Sequence, residues 1–319
     1  MSQDFKTQKL RIKLGPVDLN FPILSFGQGK KTIGLVVGLH GVETAGFFIV
    51  EKLFQKRKKL GNKVKVILGA NPSGLIGNSR FNGLDLPMDV KDPNRSYPGK
   101  PLGSVQERIN DLILEQLKSC DFVLDIHNYS NLGGPFPLLA LEGIAFEDFK
   151  GQLKEESLKF LGNLKSQFAF FVDAKQAEQR GFNGTLNESL NKLGTPNLGL
   201  EMPSIEFLNE KTIDQMVNSL ITAINNVHLN NKSVLKLPKL INTKVTKSER
   251  AGVFTPLILP PCPIKAGQKI GTLFDSFTGL TFSIKSPTSG LLVVVKRKNF
   301  VRVGEFLFEI GSRIKPAFL

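Results

Sequence analysis

The stretch TIGLVVGLHGVE, residues 32–43, decides the fold. Thr32–Leu39 is a short, nearly continuous apolar run, the pattern of a strand buried on both faces. It stops at His40-Gly41, and Thr44–Leu60 then reads as a helix whose apolar positions include Phe47, Val50 and Phe54. Its basic last turn, Lys56-Arg57-Lys58-Lys59, complements the helix dipole and needs no binding role. A second strand, Lys63–Ala70, ends at the turn Asn71-Pro72-Ser73-Gly74. Ser104-Val-Gln-Glu107 is a capping box that opens a helix to about Leu117. Further short strands are expected at Phe122–Ile126, Phe168–Val172 and Asn197–Met202, with helices near Thr185–Leu193 and from about Lys211 to Val227. Strands alternating with helices predict an α/β fold with a mostly parallel or mixed sheet covered on both faces. Such sheets carry their active sites at the carboxyl ends of strands.

From about residue 235 the pattern changes. Pro, Gly and Thr punctuate short runs of Val, Ile, Leu and Phe, with no helical period. Within this region Ile264-Lys-Ala-Gly267-Gln-Lys-Ile270-Gly-Thr-Leu273 is echoed by Val301-Arg-Val-Gly304-Glu-Phe-Leu307-Phe-Glu-Ile310. The echo suggests two similar β halves packed as a sandwich or small barrel. The polar stretch Asn230-Asn-Lys-Ser233 supports a boundary within 231–245. The expected division is a catalytic domain over 1–235 and a small, all-β C-terminal domain over 236–319.

A chain of 319 residues suggests about two domains by length alone. Hydrophobic residues at 41% and charged residues at 22% exclude global disorder. No apolar run approaches the roughly 20 residues of a membrane-spanning helix, and MSQDFKTQKLRIKL lacks the apolar core of a secretory signal. The two cysteines, Cys120 and Cys262, are too far apart for a C-x-x-C thiolate site. A cytoplasmic protein is the expectation. The net charge of +14 resembles a nucleic-acid signal until it is divided along the chain. Residues 1–230 hold 27 Lys+Arg and 24 Asp+Glu, whereas residues 231–319 hold 15 and 4, a net of +11. With no Trp and two Tyr, this basic quarter lacks an aromatic platform, so a solvated Lys-rich exterior is the plain reading.

Three histidines allow each to be considered in turn. His40 and Glu43 leave the end of the first strand three residues apart, a spacing at which imidazole and carboxylate can reach one cation. The same pair also reads as a turn histidine beside a helix-start acid, and the spacing alone does not choose. His127 ends Phe122-Val-Leu-Asp-Ile-His127, again at a strand's carboxyl end. Together with His40 and Glu43 it would complete the His₂Glu set of a catalytic zinc with one position open. Asp125, two residues earlier and on the same face, could fix the tautomer of a metal-bound imidazole. Which imidazole it serves is open at this stage. His228, among Asn225, Asn226 and Asn230, reads as solvated. Glu201, after Leu198-Gly-Leu200 at another strand end, is a candidate proton carrier, and Arg80 and Arg95 place fixed positive charge in loops.

Together these segments resemble the aspartoacylase/succinylglutamate desuccinylase family, the deacylase branch of the zinc carboxypeptidase-like fold. The matching segments are Leu39-His40-Gly-Val-Glu43-Thr, Ala70-Asn71-Pro72 followed by Arg80, Asp92-Pro-Asn94-Arg95-Ser-Tyr-Pro-Gly99, Asp125-Ile-His127-Asn128 and Leu200-Glu201, in the family's order. The β-rich tail, with Ser286-Pro-Thr-Ser-Gly290, also looks like that family's C-terminal domain. The resemblance implies that His40, Glu43 and His127 bind one zinc ion per chain and that Glu201 is the general base and acid. It further implies that Arg80 polarises the scissile carbonyl while Asn94 and Arg95 hold the substrate carboxylate. Pro93 departs from the family's Asp-Leu-Asn-Arg, which bears on the approach to Asn94. The tail also looks like a lipoyl-type module, but 245–319 holds no Met-Lys or Asp-Lys-Ala signature, so a structural role in covering the pocket is expected.

The expected activity is zinc-dependent hydrolysis of the amide of a small N-acyl amino acid or related carboxylate-bearing molecule. The expected partner is that small, anionic substrate, with neither nucleic acid nor membrane. A metallocarboxypeptidase trimming short peptides would use the same residues. A non-catalytic binding protein that works through the basic tail is the reading from another class.

Overall fold

The computed structural model describes residues 5–13, 15, 18–81, 92–128, 132–133, 142–143, 152–164, 168–171, 181, 183–227 and 239–313. Its first strands are β1 (Phe5–Lys13), β2 (Asp18–Phe26) and β3 (Thr32–Val37), followed by helix α1 (Ala45–Gln55). Strand β4 (Lys63–Leu68), helices α2 (Pro72–Ile76) and α3 (Val105–Leu117) and strand β5 (Phe122–Asn128) come next. The short strands β6 (Leu132–Gly133) and β7 (Glu142–Gly143) precede α4 (Gln152–Asn163) and β8 (Phe168–Phe171). The region ends with α5 (Leu186–Lys192), β9 (Asn197–Met202) and α6 (Glu210–Asn225). Among the described residues only strands follow: β10 (Lys239–Lys247), β11 (Gly252–Pro256), β12 (Cys262–Ile264), β13 (Lys269–Asp275), β14 (Thr281–Lys285), β15 (Gly290–Lys296), β16 (Asn299–Val301) and β17 (Phe306–Arg313).

The first sheet has the order β1-β2-β4-β3-β5-β9. β4, β3, β5 and β9 run parallel to one another, while β1 and β2 form an antiparallel hairpin whose β2 pairs antiparallel with β4. The apolar run of β3 follows from its central place between β4 and β5. Ile33, Leu35 and Val37 join one buried cluster with Ile49 and Leu53 of α1, Phe160 of α4 and Val217, Leu220 and Ile224 of α6. Val36, on the other face, joins Ile109, Ile113 and Leu117 of α3 and Leu186 and Leu190 of α5. Gly34 shares that second face, where a Cβ would lie 2.8 Å from the Leu117 Cδ2, so the missing side chain lets α3 press onto the strand. The expected doubly covered α/β sheet is therefore present, in mixed form, with the hairpin β1–β2 added at one edge.

Local chemistry explains where elements begin and end. Ser104 and Glu107 make both capping-box bonds at the start of α3. The expected turn at Asn71–Gly74 is instead the start of α2, because Asn71 accepts from the Gly74 N–H at 2.9 Å and Pro72 sits at the first position. α1 ends at Gln55, and Arg57–Lys59 tighten into a 3₁₀ turn. The Lys56 Nζ, part of the expected basic cluster, donates to Asp214 of α6 at 2.8 Å.

A second sheet has the order β12-β15-β17-β10-β8-β7, with β6 paired to β15. β8 departs from expectation by leaving the first sheet and pairing parallel with β10, Phe168 opposite Lys239. A four-residue apolar run carries no mark of its partner strand, so this choice is made by tertiary structure. A third, wholly antiparallel sheet follows the order β14-β13-β11-β16. Phe254, Ile270, Leu273, Val295, Leu307 and Phe308 fill the core between the last two sheets. The two echoed segments form the same turn: Gly267 and Gly304 have φ of 78° and 79°, and the Gln268 and Glu305 N–H groups donate to Lys265 and Arg302 carbonyls, each at 3.1 Å. Arg297, just after β15, pairs with Glu206 and lies 5.4 Å over the Phe207 ring, bracing the segment that follows β9. The expected boundary at 235/236 and His228 lie outside the described residues. Among the described residues, no helix is long and apolar enough to cross a membrane.

Candidate metal centre

His40 and Glu43 sit in the tight turn between β3 and α1, where the Glu43 N–H donates to the His40 carbonyl at 3.0 Å. The turn rests backbone to backbone on α2. A Cβ at Gly41 would come within 2.0 Å of the Gly74 carbonyl carbon, so only glycine permits this approach. Asp125 and His127 project from β5 with the period of two. In the parallel register His127 lies opposite Glu201 of β9, and Asp125 lies opposite Gly199. The acid from the third strand end is thus the cross-strand neighbour of the second histidine.

Glu43 is the hub of the site. One carboxylate oxygen, Oε1, lies 2.8 Å from the His40 Nδ1, and the other, Oε2, lies 2.8 Å from the His127 Nδ1. The Arg80 Nη1 donates to Oε1 at 2.6 Å, and the Asn128 N–H donates to Oε2 at 3.4 Å. The two rings have centroids 5.1 Å apart. Each ring's second nitrogen is also held by a carboxylate: His127 Nε2 is 2.8 Å from Asp125 Oδ2, and His40 Nε2 is 3.0 Å from Asp92 Oδ1. Asp125 therefore serves the imidazole of its own strand. His40, Glu43, Asp125 and His127 are all buried.

This arrangement could hold a metal ion. A neutral imidazole has one N–H. If that hydrogen points from Nε2 to an aspartate, the Nδ1 lone pair faces a Glu43 oxygen only 2.8 Å away. A positive ion among the two Nδ1 atoms and the carboxylate would meet both lone pairs. One ligand atom from each of His40, Glu43 and His127 can be chosen so that all lie within 4.8 Å of one another. Two imidazoles plus a carboxylate is a donor set suited to a catalytic zinc, and aspartates on the far nitrogens orient such ligands.

The electrostatics agree with the crowding of charge. Burial raises the Glu43 carboxyl, but the two imidazoles outweigh it and hold the group well below the usual range. Burial also raises Asp92, yet its bond to His40 and the nearby charges bring it down to about 2. Burial lowers His127, but Asp125 and Glu43 raise it well above an ordinary imidazole. Burial lowers the half-exposed Arg80 as well, and Glu43, Asp92 and Glu201 more than reverse this.

Asp92 and Asn128 are the residues whose roles sequence reasoning missed. Both lie in quoted motifs, and the available signal for Asp92 was its Asx turn: its Oδ1 accepts from the Asn94 N–H at 2.8 Å. Pro93 opens the 3₁₀ turn Pro93–Arg95 that Asp92 caps, so the departure from Leu is accommodated at a first-turn position. Asn128 accepts from the Ala45 N–H at 3.0 Å, at the start of α1. Asn94 is partly engaged in structure, because its Oδ1 accepts from the Leu186 N–H at 2.9 Å while its Nδ2 lies 3.5 Å from His127 Nε2. The Arg95 Nη1 donates to the Asn94 carbonyl at 2.7 Å.

The family model described as the succinylglutamate desuccinylase/aspartoacylase catalytic domain matches residues 29–225. A curated relative, the N-alpha-acetyl-L-2,4-diaminobutyric acid deacetylase of Halomonas elongata, is 31% identical over 117 residues, covering 36% of this chain and 33% of that protein. The product-bound ectoine utilization protein EutE (DoeB) of Ruegeria pomeroyi superposes with a TM-score of 0.80 at 16% identity, over 98% of this chain and 96% of that one. An aspartoacylase family protein of Mesorhizobium loti gives a TM-score of 0.76 at 18% identity, over 99% and 96%. A succinylglutamate desuccinylase of a Silicibacter species gives 0.79 at 16%, over 98% and 96%. At these identities the structural likenesses speak for the fold, C-terminal sheets included.

Proposed function

The chain belongs to the succinylglutamate desuccinylase/aspartoacylase family, and on that premise we propose that it is a zinc-dependent hydrolase of a small N-acyl amino acid or related carboxylate-bearing amide. The sheet is read as the zinc carboxypeptidase-like arrangement, with residues 1–235 carrying the chemistry and 236–319 bracing it. The observation that carries the reading is the buried Glu43 carboxylate shared by two imidazoles that are each backed by an aspartate. The relative's deacetylase activity, on an acetylated diamino acid by its name, supports the same reaction class.

His40, Glu43 and His127 would hold the ion, which when bound supplies the Lewis acidity that makes water nucleophilic near neutral pH and polarises an acyl carbonyl. Glu201, across the strand from His127, takes the proton from the attacking water and later delivers it to the leaving amine nitrogen. Arg80, whose guanidinium already lies against the site's carboxylates, donates to the developing oxyanion. Asn94 and Arg95 hold the substrate's own carboxylate, a pairing that suits the guanidinium fork.

The test is metal quantification on purified protein, followed by a screen of acetyl, succinyl and other acyl amino acids against short peptides. Glu201→Gln is expected to retain zinc while kcat falls roughly 10²–10⁴-fold. His127→Ala is expected to lose both metal and turnover. Near-normal activity in Glu201→Gln would remove that residue from the mechanism, and a preference for peptides would replace the deacylase with a carboxypeptidase.

A further inference from the structure

A cavity of about 350 Å³ lies in the C-terminal region, away from the metal-centre residues, and is lined from three directions. The end of β10 and the following turn supply Thr246–Arg250, β14 supplies Phe282–Lys285, and Leu273 of β13 and Leu307 of β17 line it from the core. Leu273 and Leu307 are fully buried, and Phe282 and Ile284 are half-buried, so the apolar part of the wall comes mainly from β14. The mouth is cationic: Lys247, Arg250 and Lys285 face one carboxylate, Glu249, among the lining residues. Its size falls in the range of small-molecule sites, which combine apolar walls with a few convergent polar groups.

Two features show how this charge is set. The Arg250 guanidinium is fixed rather than loose, with Nη1 donating to Asp275 Oδ2 at 3.1 Å and Cζ stacked 3.8 Å over the Phe282 ring. Asp275 is occupied besides, accepting the Phe277 and Thr278 N–H groups at 2.8 and 2.9 Å. The second feature is in the ladder. Lys285 lies directly opposite Lys269 in the β13–β14 register, and like charges so placed destabilise a strand pair. Among the described residues, Lys247, Lys269 and Lys285 have no carboxylate partner. β14 is also an edge strand.

We propose that this cavity binds a small multivalent oxyanion, carboxylate or phosphate, whose charges are met by Lys247, Arg250 and Lys285. The stacked guanidinium supplies oriented donors, and the two lysines supply mobile ones. A bound anion also relieves the Lys269–Lys285 opposition, so ligand binding and local strand stability are linked. This site is separate from the catalytic groups and needs no assumption about the reaction.

The probes are pyrophosphate and citrate, titrated calorimetrically into the intact chain, with thermal unfolding followed in parallel. Saturable binding of either probe is expected, accompanied by a rise in Tm. Lys285→Glu reverses one charge at the mouth and turns the Lys269 opposition into an attractive pair. It is therefore expected to keep or raise the ligand-free Tm, to leave kcat/KM unchanged, and to weaken probe binding by roughly tenfold or more. Lys247→Glu with Lys285→Glu should abolish the Tm response. Binding of both probes that is equal in parent and variants places the anion elsewhere and overturns the proposal, as does the absence of saturation by either probe. Pyrophosphate binding alone would assign the site to phosphates, and citrate binding alone to polycarboxylates.

Discussion

Asp125→Asn tests the proposed metal centre at a single atom pair. Asp125 is fully buried, and its Oδ2 lies 2.8 Å from His127 Nε2. Asparagine keeps nearly the same shape and can still present a carbonyl oxygen to the Nε2–H, so the tautomer survives. What disappears is the negative charge behind the ring, which makes the Nδ1 a better donor toward a cation. Removing such a partner costs roughly 10–100-fold in metal affinity, or about 1.4–2.7 kcal/mol. A second cost follows from the other oxygen. Asp125 Oδ1 is buried and has no hydrogen-bond partner among the described residues, and an unpaired amide NH₂ in its place carries a penalty of about 1–3 kcal/mol in the folded state. The metal-free variant should therefore unfold at lower urea than the parent. Competition for zinc against a chromogenic chelator near neutral pH reads the first effect, and urea titration of the metal-free protein reads the second. Affinity within about twofold of the parent, in a folded variant, would refute the reasoning because the carboxylate would then do nothing for the ion.

Gly41→Ala puts a methyl group 2.0 Å from the Gly74 carbonyl carbon, so the turn must lift off α2. A loss of about 1–3 kcal/mol by urea unfolding is expected, together with reduced metal content. Ser104→Ala removes the accepting oxygen of the capping box on α3 and should cost about 0.5–2 kcal/mol without changing zinc affinity. Glu305 is held down to about 2 by Lys296 and by the Arg302 N–H, below its unfolded value near 4.3. Its contribution is thus present above about pH 4.3 and lost as pH falls toward 2. The gap in urea midpoint between the parent and Glu305→Gln should accordingly close on acidification through that window, and a constant gap would contradict the assignment.

The parts of the fold that could be read from the sequence are those in which one local rule acts without competition. The run Ile33–Val37 is buried on both sides, so its composition alone marks a central parallel strand. Ser104 and Glu107 close both capping bonds within four residues, so α3 begins where the motif places it. β8 is the opposite case. Phe168–Phe171 reads as a strand, but its pairing with β10 joins residues about seventy positions apart, and nothing in four apolar side chains names that partner. The hairpin β1–β2 was likewise silent, because only Leu10 and Ile12 of β1 are buried and the rest of the strand is exposed.

The metal-ligand candidates were legible for a related reason: each leaves the carboxyl end of a strand, and in a parallel sheet those ends converge. β3 and β9 both flank β5, so residues that end them must meet near His127. Asp92 obeys no such rule. It reaches His40 from a loop 52 residues away, and its place depends on the Asx turn to Asn94 and on the bond from Asn94 to the start of α5. A strand end fixes a residue through the ladder, whereas a loop fixes it only through specific side-chain bonds, which are not visible until the chain is folded. The consequence is chemical as well as predictive. Asp92 and Asp125 give both imidazoles the same backing, so Glu43 faces two equivalent nitrogens and not one donor and one bystander. It is this symmetry, more than the His40–Glu43 spacing, that makes the buried turn a candidate seat for a metal ion.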